Sequence, residues 1–361
     1  MAKSIISPIF ALELQLFNKK DVRLNFQKSI TNSQATLPVV SALMLLLWLL
    51  LPPVGQPVDF TTPDYGIWKF VPIFLQRGYV TLGIGVLCAA LAVYGMAELN
   101  NANVLLRVSS RMLSSVLAIL LGMAVMCHPF QPGMVLMLLS LLSFFPLFAM
   151  YQTPSPFLAF LTYLALSVAS LFFPKLLWIV PLYWLIQSYF RALTLRCLVA
   201  SILATILPYW VYAAIAALML HWEDFLLHFQ EMISFQMYDY TQIPLRHLFT
   251  FGLVFLLFAI GSIDFYLQQY RDRTRTRTIY RALIIYGVVL LMGMVAQPQY
   301  FITLLPLFLL STAILFGHFF ALTHTRFSHI CCIVVMLLVL MDFIAQYLPS
   351  QLLPLSISSY F

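Results

Sequence analysis

Six of the twelve acidic residues, Asp59, Asp64, Glu223, Asp224, Glu231 and Asp239, fall in two polar stretches, 55–78 and 221–246. Lys69 and Arg77 share the first stretch, and His221, His228 and Arg246 the second. Handling a charged substrate requires such groups, so chemistry of that kind belongs to these two segments. His221, Asp224 and His228 stand at i, i+3 and i+7, one face of a helix, and could coordinate a metal. They lack the H-E-x-x-H spacing, however, and the ordinary reading is the solvated face of an interfacial helix, so no metal is expected. Cys88, Cys127, Cys197, Cys331 and Cys332 all lie in or at the ends of apolar runs, which suits packing and implies no disulfide framework.

Within the apolar runs each ionisable residue is a candidate, because burying it in hydrocarbon is costly. Asp342 lies deep in HICCIVVMLLVLMDFIAQYL, with Gln346 one turn on along the same face. This pair should point into the bundle, either as a hydrogen-bonded link to a neighbouring helix or toward a water-filled cavity. Asp264 and Glu98 stand nearer the ends of their runs, within reach of headgroup water or an arginine. His318 and His128 admit either a structural or a cavity-lining role. The sequence has no phosphate-cradling loop, nucleophile elbow or haem-attachment motif, so no soluble cofactor is expected.

The elements that must position these residues follow from composition. At 62% hydrophobic and 9% charged, with a mean hydropathy of +0.95, the chain has too little polar surface for a soluble domain of 361 residues. Apolar segments long enough for a hydrocarbon core of about 30 Å recur throughout. The expected fold is therefore all-α: a polytopic transmembrane helical bundle. Spans are expected at 37–54, 79–97, 112–127, 134–150, 157–173, 176–190, 198–220, 247–267, 282–296, 300–320 and 329–348, about eleven in all. Either of two hairpins, joined through Pro174-Lys175 and Gln297-Pro298-Gln299, contains a segment short enough to turn back within the bilayer, and the loss of one hairpin would leave nine spans without changing the parity.

Three regions result: a basic, amphipathic N-terminal segment (1–36), a transmembrane domain (37–348) with interfacial stretches at 55–78 and 221–246, and a tail (349–361). The first segment carries Lys3, Lys19, Lys20, Arg23 and Lys28 but no apolar core of signal-peptide length. With the N-terminus in the cytoplasm and the C-terminus outside, fifteen of the nineteen Lys and Arg residues fall on the cytoplasmic side. The positive-inside rule selects that orientation in an inner membrane. The run Arg271, Arg273, Arg275, Arg277 and Arg281 is then a topogenic, headgroup-binding loop rather than a nucleic-acid patch. No filter-like repeat or carboxylate ring suggests a channel.

The aromatic, short-hairpin, Arg-terminated stretch FLAFLTYLALSVASLFFPKLLWIVPLYWLIQSYFRALTLRCLVASILATILPYWVYAAI resembles an uncharacterised family of multi-spanning membrane proteins from Bacteroidota. More remotely, Phe173-Pro174-Lys175 and Gln297-Pro298-Gln299-Tyr300 followed by FITLLPLFLLSTA resemble the lipid-dependent glycosyltransferases of the GT-C class, which carry a late P-R-Y and L-L-P-L segment. That resemblance implies a polyprenyl-phosphate-linked sugar as substrate and an aspartate of the first outer loop as base on the acceptor hydroxyl. Asp59 or Asp64 would fill that role, with Arg77, Lys175, Arg246 or His247 near the phosphate. The chain departs from the pattern in its short first outer loop, the lack of a paired Asp-Glu, and Gln299 where a basic residue is usual. Three functions stay open: an enzyme of surface-glycan assembly, a non-catalytic subunit or scaffold of an envelope complex, and a transporter or flippase. Membrane lipids are the one partner implied by all three.

Overall fold

The computed structural model describes residues 35–50, 78–108, 110–124, 127, 130–218, 222–235, 245–323 and 326–347. Every regular element among them is a helix: α1 (Thr36–Leu50), α2 (Gly78–Asn103), α3 (Met112–Met123), α4 (Pro132–Ala149), α5 (Pro156–Phe172), α6 (Val180–Tyr189), α7 (Leu195–Leu218), α8 (Trp222–Ile233), α9 (Leu245–Gln268), α10 (Thr274–Ala296), α11 (Phe301–Leu322) and α12 (Arg326–Tyr347). Seven of them, α2, α4, α7, α9, α10, α11 and α12, are long and apolar enough to cross a membrane. The protein is an all-helical membrane protein, since its backbone polar groups are satisfied within helices and its apolar side chains face outward as well as inward. α7 exposes Leu203, Trp210 and Leu218 along its outer side, which only lipid can solvate at low cost.

Two of the remaining helices, α3 and α6, are shorter than their apolar segments suggest, whereas α5 matches its segment in length. α3 ends at Met123, four residues before the expected limit, and twelve residues span only about 18 Å. Pro174 and Pro298 each keep the preceding residue out of the helical region (Phe173 at φ −144°, Gln297 at φ −136°) and open a short 3₁₀ helix, so both hairpins are sharp proline turns. At the other extreme, α10 begins at Thr274, eight residues ahead of the expected span. Most of the arginine run is thus helix rather than loop. Arginine is a good helix former, and two of these arginines are held by neighbours: Arg275 donates to Asn103 Oδ1 (2.9 Å) and the Phe148 carbonyl (3.2 Å), and Arg281 to Tyr189 OH (3.1 Å).

These bonds gather the ends of α2, α4 and α6 around the start of α10, and define an arginine end of the bundle. The proline turns 173–175 and 297–300 meet at the opposite end. α11 is the hub: almost its whole length is buried against α3, α4, α9 and α10. Glycines allow this closeness, as is usual between membrane helices. A Cβ at Gly261 would lie 2.7 Å from the Leu315 carbonyl carbon, and one at Gly133 would lie 2.7 Å from the Thr303 carbonyl oxygen. The stretches 1–34, 51–77 and 348–361, and so the first polar stretch and the tail, lie outside the described residues.

Candidate functional site

The two proline turns lie 122 residues apart in sequence and are in direct contact. Lys175 Nζ donates to Gln297 Oε1 (3.2 Å) and to Tyr300 OH (3.1 Å), and lies 4.4 Å from the Tyr300 ring centroid. The Phe173 ring meets Tyr300 edge-on at 5.1 Å. An ammonium has three donors. Both partners here are neutral, so among the described residues the half-buried charge of Lys175 has no counter-ion. Beside it opens a cavity of about 390 Å³ whose lining is otherwise apolar, aromatic or neutral, and among the described residues Lys175 is its one charged residue. Trp178 and Phe235, 67% and 66% exposed, stand at its rim. An ammonium on the wall of an otherwise apolar pocket suits an anionic head with a hydrocarbon tail.

Helix α8 forms one wall. Its end is tied to the first turn by Trp178 Nε1, which donates to the Met232 carbonyl at 3.2 Å. His228 turns its ring inward, between Tyr209 and Tyr212 of α7; its Nε2 lies 3.3 Å from Tyr209 OH, which in turn lies 2.8 Å from Ser170 Oγ. Burial pushes the His228 pKa down from 6.5 to about 4, so the ring is neutral at physiological pH. Among the described residues no three His, Cys, Asp or Glu side chains group as metal ligands; His221 lies outside them.

The second predicted pair is close by. Asp342 is buried, accepting from Thr250 Oγ1 (2.9 Å) and Gln346 Nε2 (2.7 Å), while Gln346 Nε2 is also 3.2 Å from Thr250 Oγ1. The cluster joins α12 to the first turns of α9. One turn earlier His247 stacks on Phe301 at 5.5 Å, next in sequence to Tyr300. Lys175 and His247 therefore flank the same Tyr300-Phe301 step. Asp59, Asp64 and Arg77 lie outside the described residues, as does the side chain of Arg246.

Sequence reasoning missed a cluster at the arginine end. Asp272, buried between α9 and α10, lies 2.7 Å from Arg107 Nε and 3.2 Å from His318 Nε2. Burial alone would raise its carboxyl pKa. The hydrogen bond and charge of His318, with the Arg107 guanidinium, outweigh it and hold the carboxyl below its ordinary value. One signal was present: Asp272 is the single acid within the arginine run. Close by, Asp264 accepts from Gln268 Nε2 (2.6 Å) and from Thr323 Oγ1 (3.0 Å).

Compared with known proteins, the chain matches no family model and no curated sequence.

Proposed function

We propose that the pocket at Lys175 receives the phosphate of a polyprenyl-phosphate-linked sugar, and that the protein is a GT-C-like glycosyltransferase or polymerase of surface-glycan assembly in the bacterial inner membrane. One observation carries the reading: a lysine with only neutral partners among the described residues, lining an apolar pocket between two distant proline turns. The tail would leave past Trp178 and Phe235 into lipid, and the phosphate would meet the ammonium in a poorly hydrated setting where the attraction is strong. The chain in this reading crosses eleven times with its arginine end in the cytoplasm, so that the pocket faces the outer side, where the positive-inside rule leaves few basic residues. In this reading Asp59 or Asp64 acts as base on the acceptor hydroxyl, and Arg77, Arg246 and His247 complete the phosphate site.

The test is deletion of the gene followed by profiling of lipid-linked intermediates and surface glycans. Complementation with wild type should clear accumulated lipid-linked sugar, whereas Lys175→Met should not. Asp59→Asn or Asp64→Asn should behave as Lys175→Met does. An unchanged profile in the deletion strain, or full rescue by every variant, would overturn the reading. A second reading, a non-catalytic subunit of an envelope complex, is favoured by the way Asp264, Asp272 and Asp342 each hold partners within the bundle.

A further inference from the structure

A second cavity, of about 410 Å³, opens between α1, α2 and α3, at the other end of the molecule from the Lys175 pocket. It is amphiphilic along its length. Glu98 and Asn101 of α2 and Arg111, just before α3, line it at the arginine end. Below them it runs down α2 past Ala97, Ala90 and Ala89 to Val86, twelve residues from Glu98 or roughly 18 Å at the α-helical rise. The small side chains of Ala89, Ala90 and Ala97 leave room beside Val93 and Tyr94, and α1 lines the opposite side. Among the described residues neither the Glu98 carboxylate nor the Arg111 guanidinium has an ion-pair or hydrogen-bond partner, although both line one cavity.

We infer that this groove binds one phospholipid whose head carries both a phosphate and a primary ammonium, with Arg111 on the phosphate, Glu98 on the ammonium and one acyl chain along the alanine face of α2. Charge complementarity selects this occupant. A purely anionic head would leave the Glu98 carboxylate facing a like charge, and a bare apolar ligand would leave both ionic groups unpaired at the mouth. Asn101 adds a neutral amide able to donate to phosphate and accept from ammonium. The polar end lies level with the arginine run, at headgroup depth, and the apolar part has the length of an acyl chain. This site is independent of the Lys175 pocket.

The test uses the purified full chain in vesicles of equal parts phosphatidylethanolamine and phosphatidylglycerol. The protein is extracted with detergent, washed, and the retained lipid counted by mass spectrometry. Wild type should retain the ammonium-bearing lipid about tenfold over its partner, the worth of one charge-assisted contact. Glu98→Gln, isosteric and at an exposed position, should keep the wild-type melting temperature and bind lipid without that preference. Arg111→Gln should lower retention of both lipids, and Ala90→Phe should abolish it by filling the groove. Lipid retained in bulk proportion by wild type, or an undiminished preference in Glu98→Gln, would overturn the inference. So would a rise in retained lipid on removing residues 1–30, since the chain's own basic segment would then be the occupant.

Discussion

Lys175 and Asp272 hold their charges in opposite circumstances. Lys175 has neutral acceptors and an open pocket, whereas Asp272 is enclosed by two positive or ionisable partners. An open site for an anion and a closed structural lock follow from that contrast. Asp272 carries a pH signature: its carboxyl sits below the ordinary range in the folded protein, so its contribution to stability is complete above the ordinary carboxylate pKa and is lost as pH falls through the depressed value. Asp272→Asn should therefore lower the melting temperature at neutral pH and flatten its dependence on acid, as measured by thermal melts across pH. At Asp342, substitution by Asn keeps a hydrogen-bonding group for Thr250 and should leave stability nearly unchanged. Asp342→Ala strands buried donors and should cost about 1–3 kcal/mol. Asp342 was legible in the sequence because it is a charged residue within an apolar run, whereas Lys175 stood out only as part of a short connection and through the resemblance. The Asp272–His318 pair was not, since its members lie 46 residues apart and only the packing of α11 against the turn after α9 brings them together.

At the scale of elements, close helix contact makes its own prediction. Gly261→Ala would force a methyl group against the backbone of α11 at Leu315 and Phe316, and should destabilise by about 1–3 kcal/mol. A Cβ at Gly252, on the same helix, meets nothing within 4 Å, so Gly252→Ala should be tolerated and serves as the control. Helix α8 should respond to acid. His228 has a folded pKa of about 4 against an ordinary 6.5, so the folded state is penalised as pH falls from 6.5 toward 4. Fluorescence of Trp222 and Trp178 should report release of α8 over that range, and His228→Phe should abolish the response. Amphipathic patterning was enough to place α8 as a helix. It could not show that His228 turns inward among tyrosines, because a histidine at helical spacing fits the polar and the aromatic face equally well. Helix limits were the least legible feature: hydropathy located the apolar part of α10 but not the arginine-rich turns before it, whose ends are fixed by Asn103 and the Phe148 carbonyl.

Over the whole molecule, the helical membrane architecture was written in composition, since a chain with 9% charged residues has no alternative solvent. The meeting of the two proline turns was not, because local patterns do not report which hairpins touch. Orientation is tested by labelling single cysteines on a background lacking the native ones. An impermeant maleimide should reach a cysteine at Glu223 in intact cells and one at Arg273 only after the membrane is opened; the reverse would invert the topology. The central claim, that Lys175 reads the phosphate of a lipid-linked substrate, is tested most directly by titrating the purified full chain with a polyprenyl phosphate and with the matching neutral polyprenol. The phosphate should bind saturably and the alcohol weakly, and Lys175→Met should lose at least about tenfold for the phosphate alone. Equal affinity for phosphate and alcohol, or an unchanged titration in Lys175→Met, would contradict it.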